Sequence, residues 1–410
     1  MPENKMKVLL ALSGGVDSAV AAALLVKEGY DVTGAFMVNY ERTALTGEEC
    51  WVPEYQDAVR VAARLGVPLL RFDFVTEYER DVLDYLFREY TAGRTPNPDV
   101  LCNRYIKFGA WLDKARELEF EYLATGHYAR LGREMRNNFQ FSIFNFQLLQ
   151  ATDTNKDQTY FLHQLNQDQL AHALFPIGEY TKPQVRALAR EFGLPVANKE
   201  ESMGICFVGE VPMKEFLKTK IETKVGDIVT SDSTVIGQHE GLPFYTIGQR
   251  HFGPTRPPPP PAGGHLLCSG EGATGSAPLF KKEESASWRR GRSRDTQPLY
   301  VVGKNQATNE LIVGYEDDPL LYKKEIPVAD VNWIGGQAPE FPLKCEVRLR
   351  HRQPLQRCRI TNHVETRAKS RSRVESRITV LFEQPQRAPT PGQFAVFYSG
   401  SECLGGGVIL

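Results

Sequence analysis

The chain has 410 residues, 41% of them hydrophobic and 24% charged, with a formal net charge of −1. That length points to two or three domains, and no apolar run approaches the roughly 20 residues that a membrane span needs, so a membrane-embedded role is not expected. The seven cysteines (Cys50, Cys102, Cys206, Cys268, Cys345, Cys358 and Cys403) include no CxxC pair and no leader-like segment precedes them, so neither a zinc module nor a secreted disulfide framework is indicated; a cytoplasmic enzyme is the expectation.

Residues 6–13 and 31–38 read as apolar strands, with a helix from Val16 to Glu28 between them that stops at Gly29. A helical pattern at 54–65 ends at Gly66, 67–74 reads as a strand, 76–92 and 101–119 as helices, and 121–126 as another strand. This alternation predicts an α/β fold with a doubly wound parallel sheet whose ligands sit at the carboxyl ends of the strands. Residues 181–192 form a further helix. From about 225 the runs are short and β-type, at 225–230, 299–304, 310–315, 343–349, 376–382 and 393–398, as in small barrels. The expected domains are 1–215 (the α/β domain with a further helical segment), 216–305 (a central β-rich module) and 306–410 (a C-terminal β-barrel). Residues 254–297, with five consecutive prolines and the run WRRGRSR, lack periodicity and read as a disordered insertion in the central module. Residues 134–147 and 361–376 read as shorter additions. Between Arg348 and Arg377 ten Lys/Arg face only Glu365 and Glu375, which suits either a polyanion-facing surface or a solvated loop.

Two stretches carry chemistry. Ser13-Gly14-Gly15-Val16-Asp17-Ser18 joins the first strand to the first helix; its glycines permit a tight turn, and its N–H groups and helix N-terminus favour an anion. It is neither a Walker loop nor GxGxxG. In Thr95-Pro96-Asn97-Pro98-Asp99-Val100-Leu101-Cys102 the cysteine stands just before a helix expected over Asn103–Glu119, where the dipole would stabilise a thiolate. Asp99 either caps that helix or moves a proton, and Cys102 is either the reacting thiol or a core residue. Cys206, behind Gly204 in an apolar stretch, reads on its own as a buried cysteine.

SGGVDS resembles the PP-loop of ATP pyrophosphatases. With it, TPNPDVLCNRYIKFG (95–109), ATGHYAR (124–130), KDQTYFL (156–162), ESMGICFVG (201–209), FYTIGQR (244–250), TPGQFAVFY (390–398) and ECLGGGVIL (402–410) resemble, in order and nearly end to end, the tRNA-specific 2-thiouridylases. The resemblance implies that Ala11, Leu12, Ser13, Gly14, Gly15, Val16, Asp17 and Ser18, with Met37 and Gly126, hold ATP with Mg²⁺. Asn97, Pro98 and Asp99 would lie against the target uridine; His127, Lys156, Asp157, Gln158, Arg350, His351 and Gln393 would touch tRNA of the lysine, glutamate and glutamine isoacceptors. For His127 and Gln393 an ordinary hydrogen-bonding surface role is the alternative. Cys206 would take sulfur as a persulfide from a carrier protein and Cys102 would be the nucleophile, the two passing through a transient disulfide, with Asp99 also in the catalytic group. The other five cysteines read as structural.

The sequence departs from the family where His251-Phe252-Gly253 follows GQR in place of Lys-Gly-Leu, and at 254–297 and 361–376; the Arg-rich 367–377 stretch is expected to add non-specific phosphate contacts. Competing readings are a PP-loop ligase without thiolation, an idle RNA-binding protein, and an iron–sulfur cluster on Asp99, Cys102 and Cys206.

Overall fold

The computed structural model describes residues 5–40, 51–138, 141–200, 213–250, 252, 297–367 and 374–410. Cys50, Cys206 and Cys268 lie outside the described residues, as does the expected insertion apart from Gln297. The chain divides into two compact units, residues 1–222 with 322–410, and residues 223–321. Among the described residues no helix is long and apolar enough to cross a membrane.

The larger unit begins with the expected α/β fold. Strands β1 (Lys7–Ala11), β2 (Asp31–Val38), β3 (Leu69–Asp73), β4 (Tyr122–Ala124) and β7 (Ala173–Leu174) are all parallel, in the order β3-β2-β1-β4-β7. Helix α1 (Val16–Lys27) is apolar along nearly its whole length and buries nine residues, so it packs from more than one side. Helix α2 (Val52–Leu65) is amphipathic and stops at Gly66 in the left-handed conformation, φ 68°. Val8, Leu10, Leu12, Phe36 and Val38 of the sheet share one core with α1, α2 and Val185 and Ala189 of the Lys182–Glu191 helix. The strand order reverses between β1 and β4, and the crevice that such a reversal opens lies at their carboxyl ends.

The same unit holds a closed six-stranded barrel. Strands β12 (Tyr322–Trp333), β15 (Val374–Arg387), β14 (Gln356–Arg367), β13 (Leu343–Arg348), β16 (Phe394–Ser399) and β17 (Glu402–Ile409) follow one another, and β12 pairs with β17 to close the ring. Val328, Val347, Ile360, Val380 and Phe397 are among the side chains that fill it. A hairpin of β5 (Ala129–Asn138) and β6 (Phe141–Gln150) joins the barrel sheet, Glu402 pairing with Leu149 and Cys403 with Leu148.

Residues 1–222 and 322–410 pack together as one compact unit, and the 129–150 hairpin helps to join them by pairing with β17. The additions read at 134–147 and 361–376 are, where described, continuations of the paired strands β5, β6, β14 and β15. The boundary expected at 305/306 falls inside a sheet. In the smaller unit β8 (Gly226–Thr230), β9 (Val235–His239), β10 (Tyr300–Asn305) and β11 (Glu310–Gly314) are ordered β10-β11-β8-β9, so the antiparallel β10–β11 pair spans that boundary. Ile228, Leu242, Tyr245, Val301, Leu311 and Val313 form its core.

Candidate active site

Residues 12–15 connect β1 to α1 at the point where the strand order reverses. Gly14 turns the chain at φ 75°, and a Cβ there would collide with the Glu54 carbonyl oxygen, so only glycine fits. Gly15 is the N-cap of α1 and offers no side-chain acceptor to the first-turn N–H groups. Ser18 braces the loop: its Oγ accepts from the Ser13 N–H at 3.2 Å, donates to the Gly15 carbonyl at 3.1 Å and lies 3.1 Å from Ser13 Oγ. An uncapped helix N-terminus behind a glycine turn, with Ser13 exposed beside it, is suited to a phosphate group. Leu12 and Met37 are buried in the sheet.

Asp17, in the first turn of α1, would repel that phosphate if it stood alone. It does not. Lys182 Nζ contacts both its carboxylate oxygens at 2.7 and 2.9 Å, and the Tyr128 hydroxyl donates to one of them at 2.9 Å. Lys199 Nζ binds the Gly14 carbonyl at 3.3 Å and Asp57 at 2.6 Å. Burial pushes the Asp57 carboxyl up, but Lys199 and Arg60 outweigh it and hold it below its ordinary value. Lys182, Lys199, Tyr128 and Asp57 all escape a local reading of the sequence. Only the Pro at the second position of the 182–191 helix hints that Lys182 stands at a helix start.

The turn after β4 connects this loop to the cysteine segment. A Cβ on Gly126 would stand 2.7 Å from the Ser18 backbone nitrogen and 2.9 Å from the Asp17 carbonyl carbon, so this turn rests directly on the start of α1. The next residue, His127, packs its ring 6.2 Å from Phe108, six residues beyond Cys102 on the same helix. Its Nδ1 lies 2.7 Å from Thr125 Oγ1, and it is buried. Burial, aided by the Lys107 charge, lowers its pKa well below the ordinary histidine value, so the ring is neutral at physiological pH. The surface role weighed for His127 is therefore replaced by a core one.

The cysteine segment begins earlier than expected. Helical backbone starts at Pro98, not Asn103, and runs through Leu101, then through wider π-type turns over Cys102–Ala110, and on to Glu117. Pro98 suits the first helical position, where a missing N–H is no loss. Asn97 is the cap, its Oδ1 accepting from the Asp99 N–H at 3.2 Å. Asp99 thus stands in the first turn rather than at the cap. Cys102, 1% exposed, lies one turn inside, where the helix dipole acts more weakly than an N-terminal position would give. Gly109, at φ −105° and ψ −105°, kinks the stretch.

The barrel holds the loop before this helix. Gln393 Nε2 donates to the carbonyls of Thr95 at 2.9 Å and Pro96 at 3.3 Å, and the Thr95 N–H donates to the Pro391 carbonyl at 2.8 Å. Asp157 is 1% exposed. Its carboxylate accepts from Ala151 N, Gln150 Nε2 and Thr159 Oγ1 and pairs with Arg348 at 2.8 Å. The Asp157 carboxylate is thus engaged in an internal ion pair. Gln158 Oε1 accepts from the Tyr128 N–H at 2.9 Å. His351 Nε2 lies 3.1 Å from the Asp157 carbonyl and its ring 4.5 Å from Phe161, while Arg350 donates to the Ala388 carbonyl at 2.7 Å. Lys156 is partly exposed at the edge of the same region. Among the described residues no three His, Cys, Asp or Glu side chains gather as a metal site. Side chains of 362–376, which include the Arg-rich 367–377 stretch up to residue 376, lie outside those described.

Family models match in three parts: a tRNA methyl transferase HUP domain over residues 6–210, a tRNA methyl transferase PRC-barrel domain over 214–253 and an aminomethyltransferase beta-barrel domain over 323–409. The tRNA-specific 2-thiouridylase MnmA of Geobacillus thermodenitrificans is 40% identical over 99% of this chain and 95% of its own length. The chain belongs to the tRNA-specific 2-thiouridylase family. Within that family, MnmA of Burkholderia cenocepacia is 41% identical over 99% of this chain and 94% of its own, and MnmA of Levilactobacillus brevis 40% over 99% and 96%. A solved 4-thiouridine synthetase–RNA complex with bound ATP aligns at TM-score 0.30 and 17% identity, covering 52% of this chain and 50% of that one, which is too distant to speak to the site. The PRC-barrel match ends at residue 253, and the barrel match starts at 323, beside the start of β12.

Proposed function

We propose that this 2-thiouridylase-family chain activates C2 of a wobble uridine in tRNA with ATP and replaces its oxygen with sulfur. The observation that carries the reading is the Gly126–Tyr128 turn, which touches the anion-suited start of α1 on one side and the Cys102 helix on the other. In this reading the turn ties nucleotide and thiol chemistry to one support.

In this reading ATP enters as its Mg²⁺ complex and its phosphates lie along residues 12–18, near Met37 and Gly126. The uridine O2 attacks the α-phosphate and pyrophosphate leaves. Asn97, Pro98 and Asp99 lie against the base, and Asp99 handles the proton. Sulfane sulfur carried on Cys206, delivered by a persulfide-bearing protein, reaches C2 by one of two routes. Either the outer sulfur of the persulfide attacks C2 and the Cys102 thiolate then attacks the Cys206 sulfur, breaking the S–S bond, or the Cys102 thiolate attacks the Cys206 sulfur first and frees sulfide that attacks C2. The C2–S bond forms, the C2–O bond breaks and AMP departs with the oxygen. A Cys102–Cys206 disulfide remains, and a dithiol reductant reduces it back to two thiols. Lys156, Gln158, Arg350, His351 and Gln393 border the surface assigned to tRNA, the last three chiefly through the contacts that shape the loops.

Mass spectrometry of nucleosides from tRNA incubated with ATP and a persulfide donor tests this. The expectation is 2-thiouridine with stoichiometric AMP, lost in Cys102→Ser and Cys206→Ser. Continued 2-thiouridine formation by Cys206→Ser would overturn the relay.

A further inference from the structure

Away from the candidate site, two thiols meet inside the barrel. Cys345 on β13 and Cys358 on β14 are directly opposed in the antiparallel register, and their Sγ atoms are 3.6 Å apart. Opposed residues in such a ladder have Cα atoms roughly 4.5–5.5 Å apart, within the range of about 4.4–6.8 Å that a disulfide spans. Closing an S–S bond therefore needs only a small side-chain rotation and no movement of the strands. Cys345 is partly exposed, while Cys358 is buried among the barrel's core residues. The Cys345 hydrogen bond, and then burial, raise the Cys358 thiol, so Cys345 is the thiol that a dissolved oxidant meets first. Between them the chain makes the 349–355 turn, which carries Arg350 and His351 and their contacts to Ala388 and to Asp157.

We infer that Cys345 and Cys358 form an oxidisable pair that closes to a disulfide by exchange with a low-molecular-weight disulfide such as oxidised glutathione. The Cys345 thiolate attacks the oxidant, one small thiol leaves and a mixed disulfide forms. Cys358, relieved of its hydrogen bond to Cys345, then loses its proton and attacks the Cys345 sulfur, releasing the second small thiol. Two protein S–H bonds become one S–S bond, and the two electrons reduce the oxidant's S–S bond to two thiols. The cross-link anchors the base of the turn bearing Arg350 and His351. It requires neither ATP nor tRNA, so it is independent of the proposed thiolation.

The test equilibrates the full-length protein in a graded series of reduced and oxidised glutathione, then quenches with acid, alkylates and maps peptides without reduction. We expect a linked peptide pair containing Cys345 and Cys358, and a melting midpoint about 5 °C higher in the oxidised protein. Both effects should vanish in Cys358→Ser, while any Cys102-containing disulfide persists. Because the linked peptide is read in the wild-type protein, the result does not depend on a variant folding. Cys345 and Cys358 found separately alkylated across the whole series would overturn the inference, as would a stable glutathione adduct on Cys345 that never resolves.

Discussion

Asp17 places a negative charge in the helix turn that the proposal gives to phosphate, and Lys182 is what makes that tolerable. With Nζ within 2.9 Å of both carboxylate oxygens and only 13% of its side chain exposed, Lys182 cancels the charge locally and keeps a cation beside the incoming nucleotide. Lys182→Met should raise the KM for ATP at least tenfold with less effect on kcat, and Lys182→Arg should restore part of the loss; steady-state AMP release at varied ATP measures both. A KM unchanged in Lys182→Met would mean that Asp17 does not face the nucleotide. At this scale the sequence was legible wherever a residue type is chemically unusual in its place. The glycine turn at Gly14 announces itself, since strand, paired glycines and helix stand in order. Lys182 and Lys199 do not, because a lysine at a helix start or in a loop normally faces water, and their partners Asp17 and Asp57 lie more than 140 positions away. Gly126 was legible only through family likeness; its physical reason, the lack of space against Ser18, is tertiary.

At the scale of elements the informative case is the cysteine helix. Two prolines in TPNPD suggest a loop running up to Cys102, yet Pro98 opens the helix and Asn97 caps it, so the thiol moves from the helix end into a buried second turn. What then fixes the segment is its preceding loop, held by Gln393 from the turn before β16. Gln393→Ala removes two hydrogen bonds, worth about 1–2 kcal/mol in stability. The larger effect should fall on turnover: kcat for thiolation should drop by up to about 100-fold, at an error of placement of the order of 1 Å, with the KM for ATP unchanged. Equal losses in kcat and in ATP affinity would show that the clamp supports the nucleotide loop as well.

For the larger unit as a whole, the joint between parallel sheet and barrel is built from buried polar groups as much as from apolar ones. Asp157 pairs with Arg348 across it, and His163 is enclosed there, its Nδ1 donating to the Tyr160 carbonyl at 2.7 Å and its ring 4.9 Å from that of Phe394. Burial lowers His163 to about 4, more than the hydrogen bond to Tyr160 raises it. Above pH 6.5 folded and unfolded chains both keep this ring neutral; below it the unfolded chain takes up a proton that the folded one refuses, so stability falls with pH down to about 4. His127 shifts in the same direction. Urea unfolding at pH 7.5 and pH 5 should show a loss of about 2 kcal/mol from His163 alone, and His163→Gln should flatten the profile by that amount. Identical losses in both proteins would place the His163 ring in water. The α/β class was legible from strand and helix periodicity, and the barrel from its short alternating runs. The joint was not: nothing local in residues 129–150 says that this hairpin pairs with a strand some 250 positions on, and its 134–147 stretch read as an addition.

That pairing has a consequence for biosynthesis. When β5 and β6 emerge from the ribosome, the barrel strand that will cover β6 is still about 250 codons away, roughly 10–50 s at ordinary elongation rates. For that interval the nascent chain displays an unpaired sheet edge, the kind of surface that recruits chaperones or a neighbouring chain on the same polysome. Gln393 is translated just before that strand, so the loop before Cys102 acquires its clamp only after most of the polypeptide has been made, which delays any thiol chemistry until the barrel is in place.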